Sequence, residues 1–133
     1  TALEEDRAGQ VADDLDGVMA SLAGEVEHEI VPSPVGAQHD KTKIKAYYAA
    51  LFQSVKGESV TPLKRYYGDD FVIDETLWNG EVFDGSPFLC DGKKGKVSFR
   101  LLHIFEFKDG KISREQAWCD LAAIQRQLGV RLA

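Results

Sequence analysis

The stretch HIFEFKDGKISREQAWCDLAAIQRQLG, residues 103–129, decides the fold. Asp109-Gly110 stands between two runs rich in aromatic and β-branched residues, a strong signal for a tight hairpin because both turn residues tolerate positive φ. With a two-residue turn, Phe107 pairs with Ile112, Phe105 with Arg114, His103 with Gln116, Leu101 with Trp118 and Phe99 with Asp120. Opposed residues share a face. One face then carries Phe99, Leu101, His103, Phe105, Phe107, Ile112, Gln116, Trp118 and Asp120; the other carries Arg100, Leu102, Ile104, Glu106, Glu115, Ala117 and Cys119. The aromatic face is the inner one. A histidine and a carboxylate among large apolar side chains suit a cavity with a few convergent polar groups rather than a dry core. Beyond it, Leu121, Ile124 and Leu128 recur at helical spacing up to Gly129, which reads as a short closing helix.

Upstream, residues 60–67, 71–83, 97–107 and 111–119 read as strands, and 84–95, with Gly85, Pro87, Gly92 and Gly95, reads as an irregular exposed loop. Ile44, Tyr47, Tyr48, Leu51, Phe52 and Val55 form a helical stripe with Asp40 as its N-cap. Residues 25–31 alternate as a half-exposed strand, and 1–24 read as helical, with Asp13 or Asp14 capping a second short helix that ends at Gly24. Helices followed by an antiparallel meander give an α+β fold with the helices on one sheet face.

The 133 residues, 44% of them hydrophobic, form one domain, 1–133, large enough to fold on a single core without disulfides or a structural metal. A net charge of −6 disfavours nucleic acid as a partner. No apolar run reaches the roughly 20 residues of a bilayer crossing, so the expectation is a soluble, cytoplasmic protein with no membrane partner. Cys90 and Cys119 are lone thiols, and His28, His39 and His103 fall in separate segments without zinc-ligand spacing, so no metal and no cofactor is expected.

In residues 71–77, parity separates Phe71, Ile73, Glu75 and Leu77 from Val72, Asp74, Thr76 and Trp78. The apolar count turns Glu75 inward, where desolvation raises its pKa into a range useful for proton transfer. A bulge at Asn79-Gly80 would keep Asp74 and Trp78 as rivals for the cavity. His103 and Asp120 lie about four strand positions apart, roughly 13 Å, which separates them into two polar sites. His103 has a second reading, a core histidine bonded to Gln116. For Asp120 the second reading is an N-cap bonded near Ala122 or Ala123.

Helix residues 44–55 (KIKAYYAALF and its continuation), strand residues 71–78 (FVIDETLW), the early helix 12–23 and, above all, residues 103–129 resemble the nuclear transport factor 2-like superfamily, in its SnoaL-like polyketide cyclase branch. The resemblance implies a cone-shaped fold, a strongly curved antiparallel sheet wrapped on N-terminal helices around a pocket, and a homodimer formed through the outer sheet face. It also implies a general acid/base at Asp120, which closes the last long strand in the WCD sequence, and acids at Glu75 and Glu115, the latter sent outward by the hairpin register. The function expected is cofactor-independent proton transfer next to a carbonyl of a small hydrophobic ring compound. Asp120, His103 and Glu75 would be the catalytic groups. Tyr48, Trp78, Phe99, Leu101, Trp118 and Asp74 would bind the substrate. Two alternatives stand beside it: a non-catalytic ligand-binding or dimerisation module, and an epoxide hydrolase using Asp74, Asp120 and Arg100, although the facing scheme puts Arg100 outside.

Overall fold

A computed structural model of the chain describes residues 15–130. Its elements are α1 (Leu15–Ala20), β1 (Leu22–Val31), α2 (Lys41–Ser54), β2 (Val55–Tyr67), β3 (Phe71–Val82), a 3-10 turn (Ser86–Phe88), β4 (Gly95–Lys108), β5 (Lys111–Cys119) and α3 (Leu121–Gln127). One curved five-stranded sheet has the order β1-β5-β4-β3-β2. Strands β2 to β5 form the expected antiparallel meander, whereas β1 joins the far edge parallel to β5.

The helical reading of residues 1–14 and its Asp13 or Asp14 cap lie outside the described residues. The helix that follows stops earlier than Gly24. The backbone N–H and hydroxyl of Ser21 both donate to the Val18 carbonyl, closing α1 and releasing Leu22 into β1. In α2, the Asp40 carboxylate accepts from Thr42 N at 2.8 Å, as an N-cap does, and Ile44 and Tyr48 are buried against the sheet.

The hairpin turn forms at Asp109 and Gly110, both at positive φ, with Lys108 opposite Lys111 and Phe107 opposite Ile112. There the expected register ends. Ser113 is an extra residue on β5, so Glu106 faces Arg114, Phe105 faces Glu115, Ile104 faces Gln116 and Leu102 faces Trp118. A one-residue bulge inverts every side chain beyond it. Glu115, Ala117 and Cys119 therefore turn inward and Gln116 and Trp118 outward, the reverse of the expectation. The bulge also lets the Arg114 guanidinium reach Glu27 and Glu106 at 2.6 and 2.9 Å on the outer face instead of entering the aromatic one.

Strand β3 is corrected in the same way. Its inward set is Val72, Asp74 and Thr76, because Asp74 lies opposite His103 and Thr76 opposite Leu101 on the aromatic face of β4. Glu75 faces outward, 3.2 Å from the Arg100 guanidinium. No bulge interrupts β3 at Asn79-Gly80; the irregularity is across the ladder in β2, between Gly57 and Ser59. Gly80 permits close approach there: a Cβ would stand 2.4 Å from the Trp78 ring and 2.3 Å from the Lys56 carbonyl.

Two apolar clusters pack between sheet and helices. One joins Val18, Leu22, Val26, Ile44, Tyr48, Val72, Phe105 and Ile112; the other joins Val55, Val82, Phe88, Val97, Phe99, Ile124 and Leu128. Leu51 touches both. Each such side chain contributes about 1.5–3 kcal/mol on burial. The 84–95 loop is not simply exposed: it turns Phe88 and Cys90 inward onto the second cluster.

Candidate functional site

Where the two clusters meet, a hollow of about 120 Å³ remains. That is close to the roughly 150 Å³ at which an apolar cavity holds benzene. Its walls come from α2 (Tyr47, Tyr48, Leu51, Phe52), the sheet (Trp78, Phe99, Leu101, His103, Ala117, Cys119) and the loops (Pro87, Phe88, Leu89). Tyr47, Tyr48 and Phe52 pack on one another at centroid distances of 5.4 and 5.8 Å, and across the hollow Trp78 lies 5.3 Å from Phe99.

Behind this wall the sheet carries four ionisable side chains in two neighbouring rungs. His28 of β1 stands beside Glu115 of β5, and one rung on, His103 of β4 stands beside Asp74 of β3. Glu115 is 0%, Asp74 1% and His103 6% exposed. The Tyr48 hydroxyl descends from α2 and donates to Glu115 Oε2 at 2.6 Å, while His28 Nε2 lies 2.9 Å from the same hydroxyl and 3.5 Å from the same carboxylate oxygen. Tyr48 has one proton and gives it to Glu115, so His28 Nε2–H is the donor to the hydroxyl oxygen. Glu115 Oε1 is buried without a hydrogen-bond partner. Asp74 Oδ1 accepts from Arg65 Nε at 3.1 Å.

Burial alone would raise the Glu115 carboxyl. The hydrogen bond and charge of His28, the charge of His103 and the Tyr48 hydroxyl outweigh it and hold the group below the ordinary carboxylate value. Burial pushes the His103 ring below its ordinary value, against the pull of Glu115 and Asp74 and with the help of His28. His103 is therefore a neutral imidazole at neutral pH, stacked on Phe105 at 5.0 Å. Burial, with the charges of Cys119 and Glu115, raises the Tyr47 phenol well above its ordinary value, so it keeps its proton.

Of the residues singled out from sequence, His103, Tyr48, Trp78, Phe99 and Leu101 meet at the hollow, with Asp74 behind His103. Three do not. Glu75 is on the outer face; Trp118, 44% exposed, is there too; Asp120 is exposed and caps α3, accepting from Ala123 N at 3.1 Å, while its neighbours Cys119 and Leu121 line the wall. His103 does not bond Gln116, which faces outward and donates to Glu29 at 2.9 Å. The sequence reading missed Glu115 as an inward acid, His28 as its partner and Tyr47 as a wall.

A curved sheet folded over helices around a small apolar hollow is the build of the nuclear transport factor 2-like proteins. Within that build the chain belongs to the SnoaL-like domain family, which matches residues 7–115. No curated protein matches it by sequence. Solved structures of similar fold include TsrD from Streptomyces laurentii, 20% identical over 98% of this chain and 93% of that one, with a TM-score of 0.79. A protein of ketosteroid isomerase-like fold from Catenulispora acidiphila, in complex with trimethylamine, is 14% identical over 98% and 93%, with a TM-score of 0.77. An LEH-like epoxide hydrolase from M. tuberculosis is 18% identical over 96% and 86%, with a TM-score of 0.72. At these identities the likeness is one of fold. No helix among the described residues is long and apolar enough to cross a membrane.

Proposed function

We propose that the protein is a cofactor-independent acid/base enzyme that moves a proton next to the carbonyl of a small hydrophobic ring compound, with His103 as the base. The observation that carries this reading is an imidazole buried on the wall of a hollow apolar cavity with two buried carboxylates beside it, a burial that favours its neutral form. A neutral base is needed to take a proton, and the imidazolium that forms is stabilised by Glu115 and Asp74. The protonated Tyr47 hydroxyl, on the same wall, supplies a hydrogen bond to the developing enolate oxygen. The hollow suits one ring.

The capping position of Asp120 favours His103 over it as the base. An epoxide hydrolase built on Asp74, Asp120 and Arg100 has less support, since Arg100 is held by Glu75 on the outer face. The same reading includes a homodimer through that outer face, where the large Trp118 ring is exposed.

The test follows α-proton exchange of cyclohexanone in heavy water by NMR. Wild type should exceed the buffer rate, His103→Gln should fall to it, and Asp120→Asn should keep most of the activity. Exchange retained in His103→Gln and lost in Asp120→Asn would move the base to Asp120. Binding of cyclohexanone without exchange would leave a binding module.

A further inference from the structure

We propose that the Leu89 side chain is the gate of the cavity: it sets how fast a small apolar guest enters and leaves, and its backbone is held in an unfavourable conformation to keep it there. The inference deepens the reading of the cavity as a site for such a guest and rests on it.

Leu89 combines three properties found together at no other described residue. It lines the hollow, it is 59% exposed, and its backbone is left-handed, at φ 59 and ψ 33. A wall residue that is also largely in solvent stands at the mouth, where Leu89 faces the exposed Pro32 and Pro34 of the same lining. The left-handed conformation is unfavourable for a side chain with a Cβ and belongs by preference to glycine, above all at the end of a helical turn, which is where Leu89 sits. A leucine at such a position invites a functional explanation.

The frame around Leu89 is fixed, which places the motion in the side chain rather than the loop. Asp84 Oδ1 accepts from Ser86 N at 3.0 Å, Ser86 Oγ at 2.8 Å and Gly92 N at 3.2 Å. Gly85 and Cys90 bridge the two ends of the turn, Phe88 is buried on Phe99 at a centroid distance of 6.4 Å, and Gln125 of α3 donates to the Phe88 carbonyl at 3.3 Å. An apolar side chain on a braced turn can swing off the mouth between rotamers and return, since exposed rotamers interchange in picoseconds to nanoseconds.

Fluorobenzene, a single ring of the right size, is the probe, followed by 19F exchange NMR with the full chain. Leu89→Gly should raise both association and dissociation rates at least tenfold and leave the melting temperature equal to or above wild type, because the strain is relieved as the mouth opens. Leu89→Ala should open the mouth while keeping the strain, so its rates rise without a gain in melting temperature. Leu63→Ala, a change at an exposed leucine of β2, should leave the rates alone. Exchange in Leu89→Gly within twofold of wild type overturns the gate while leaving the cavity reading standing. A wild-type protein that takes up no fluorobenzene overturns both.

Discussion

Tyr48→Phe isolates the hydroxyl on which the buried network depends. The ring stays, so packing against Phe52 and Tyr47 is kept, and only one oxygen is removed. That oxygen donates to an ionised carboxylate at 2.6 Å and accepts from His28 at 2.9 Å. A hydrogen bond to a charged group contributes about 1.5–3 kcal/mol, and Glu115, already without a partner at Oε1, would lose its Tyr48 donor at Oε2. The expected loss is about 2–3 kcal/mol at pH 7, or about 10 °C in melting temperature for a domain of this size. The sign of its pH dependence follows from the Glu115 shift. The folded carboxyl lies below its ordinary value of 4.5, so its stabilisation is fully present above that pH and is lost as pH falls through the folded value. Tyr48→Phe removes one cause of the lowering, so the gap between variant and wild type should narrow as the pH drops below about 4.5. Urea unfolding from pH 3 to 7 measures both effects. A second substitution, Glu115→Gln added to Tyr48→Phe, should cost less than Glu115→Gln alone. Stability of Tyr48→Phe within about 0.5 kcal/mol of wild type at pH 7 would refute the reasoning, because no buried charge can lose its donor that cheaply.

Two further outcomes follow from the same geometry. His103 has a folded pKa below its ordinary 6.5, so its contribution to stability is present above that pH and is lost as pH falls toward the folded value; His103→Phe should flatten this part of the stability profile, and NMR titration of the ring should give a midpoint below 6.5. Gly80→Ala should cost about 2 kcal/mol or more and displace the Trp78 indole, read as a shift in tryptophan emission, because the new Cβ would stand 2.4 Å from that ring.

What the sequence shows and what it hides divide at one residue. The turn at Asp109-Gly110, the Asp40 cap and the stripe of α2 as far as Phe52 are local signals, each carried by residues within a few positions, and form as read; Val55, read as the end of that stripe, instead opens β2, and Asp120 takes its second reading, the cap. The face assignment past the turn depends instead on counting, and Ser113 breaks the count. Its misfit was nevertheless present: a strict hairpin sets Arg114 opposite Phe105 and forces a guanidinium into the aromatic face, while the residue after it, Glu115, goes to solvent. Shifting by one gives Arg114 two carboxylates outside and Glu115 a hydroxyl and an imidazole inside. His28 was hidden for another reason, since the partner that explains it stands 87 positions away on a strand that pairs in parallel.

The polar rungs and the hollow are best understood as one device. Four ionisable groups side by side on an inner sheet face are costly, and well-packed apolar residues at the same positions would hold the fold at least as firmly. Tyr48 and Arg65 offset part of that cost, from opposite sides: one hydroxyl over Glu115, one guanidinium against Asp74. His103 is the member of the set that reaches the cavity wall. A structure that gives each of the two carboxylates a hydrogen-bond donor and keeps the imidazole buried beside them has its counter-charge in place before any proton arrives, so little reorganisation would be needed when it does. Stability alone gives no reason for that arrangement, whereas the proposed proton transfer from a guest in the hollow would use it.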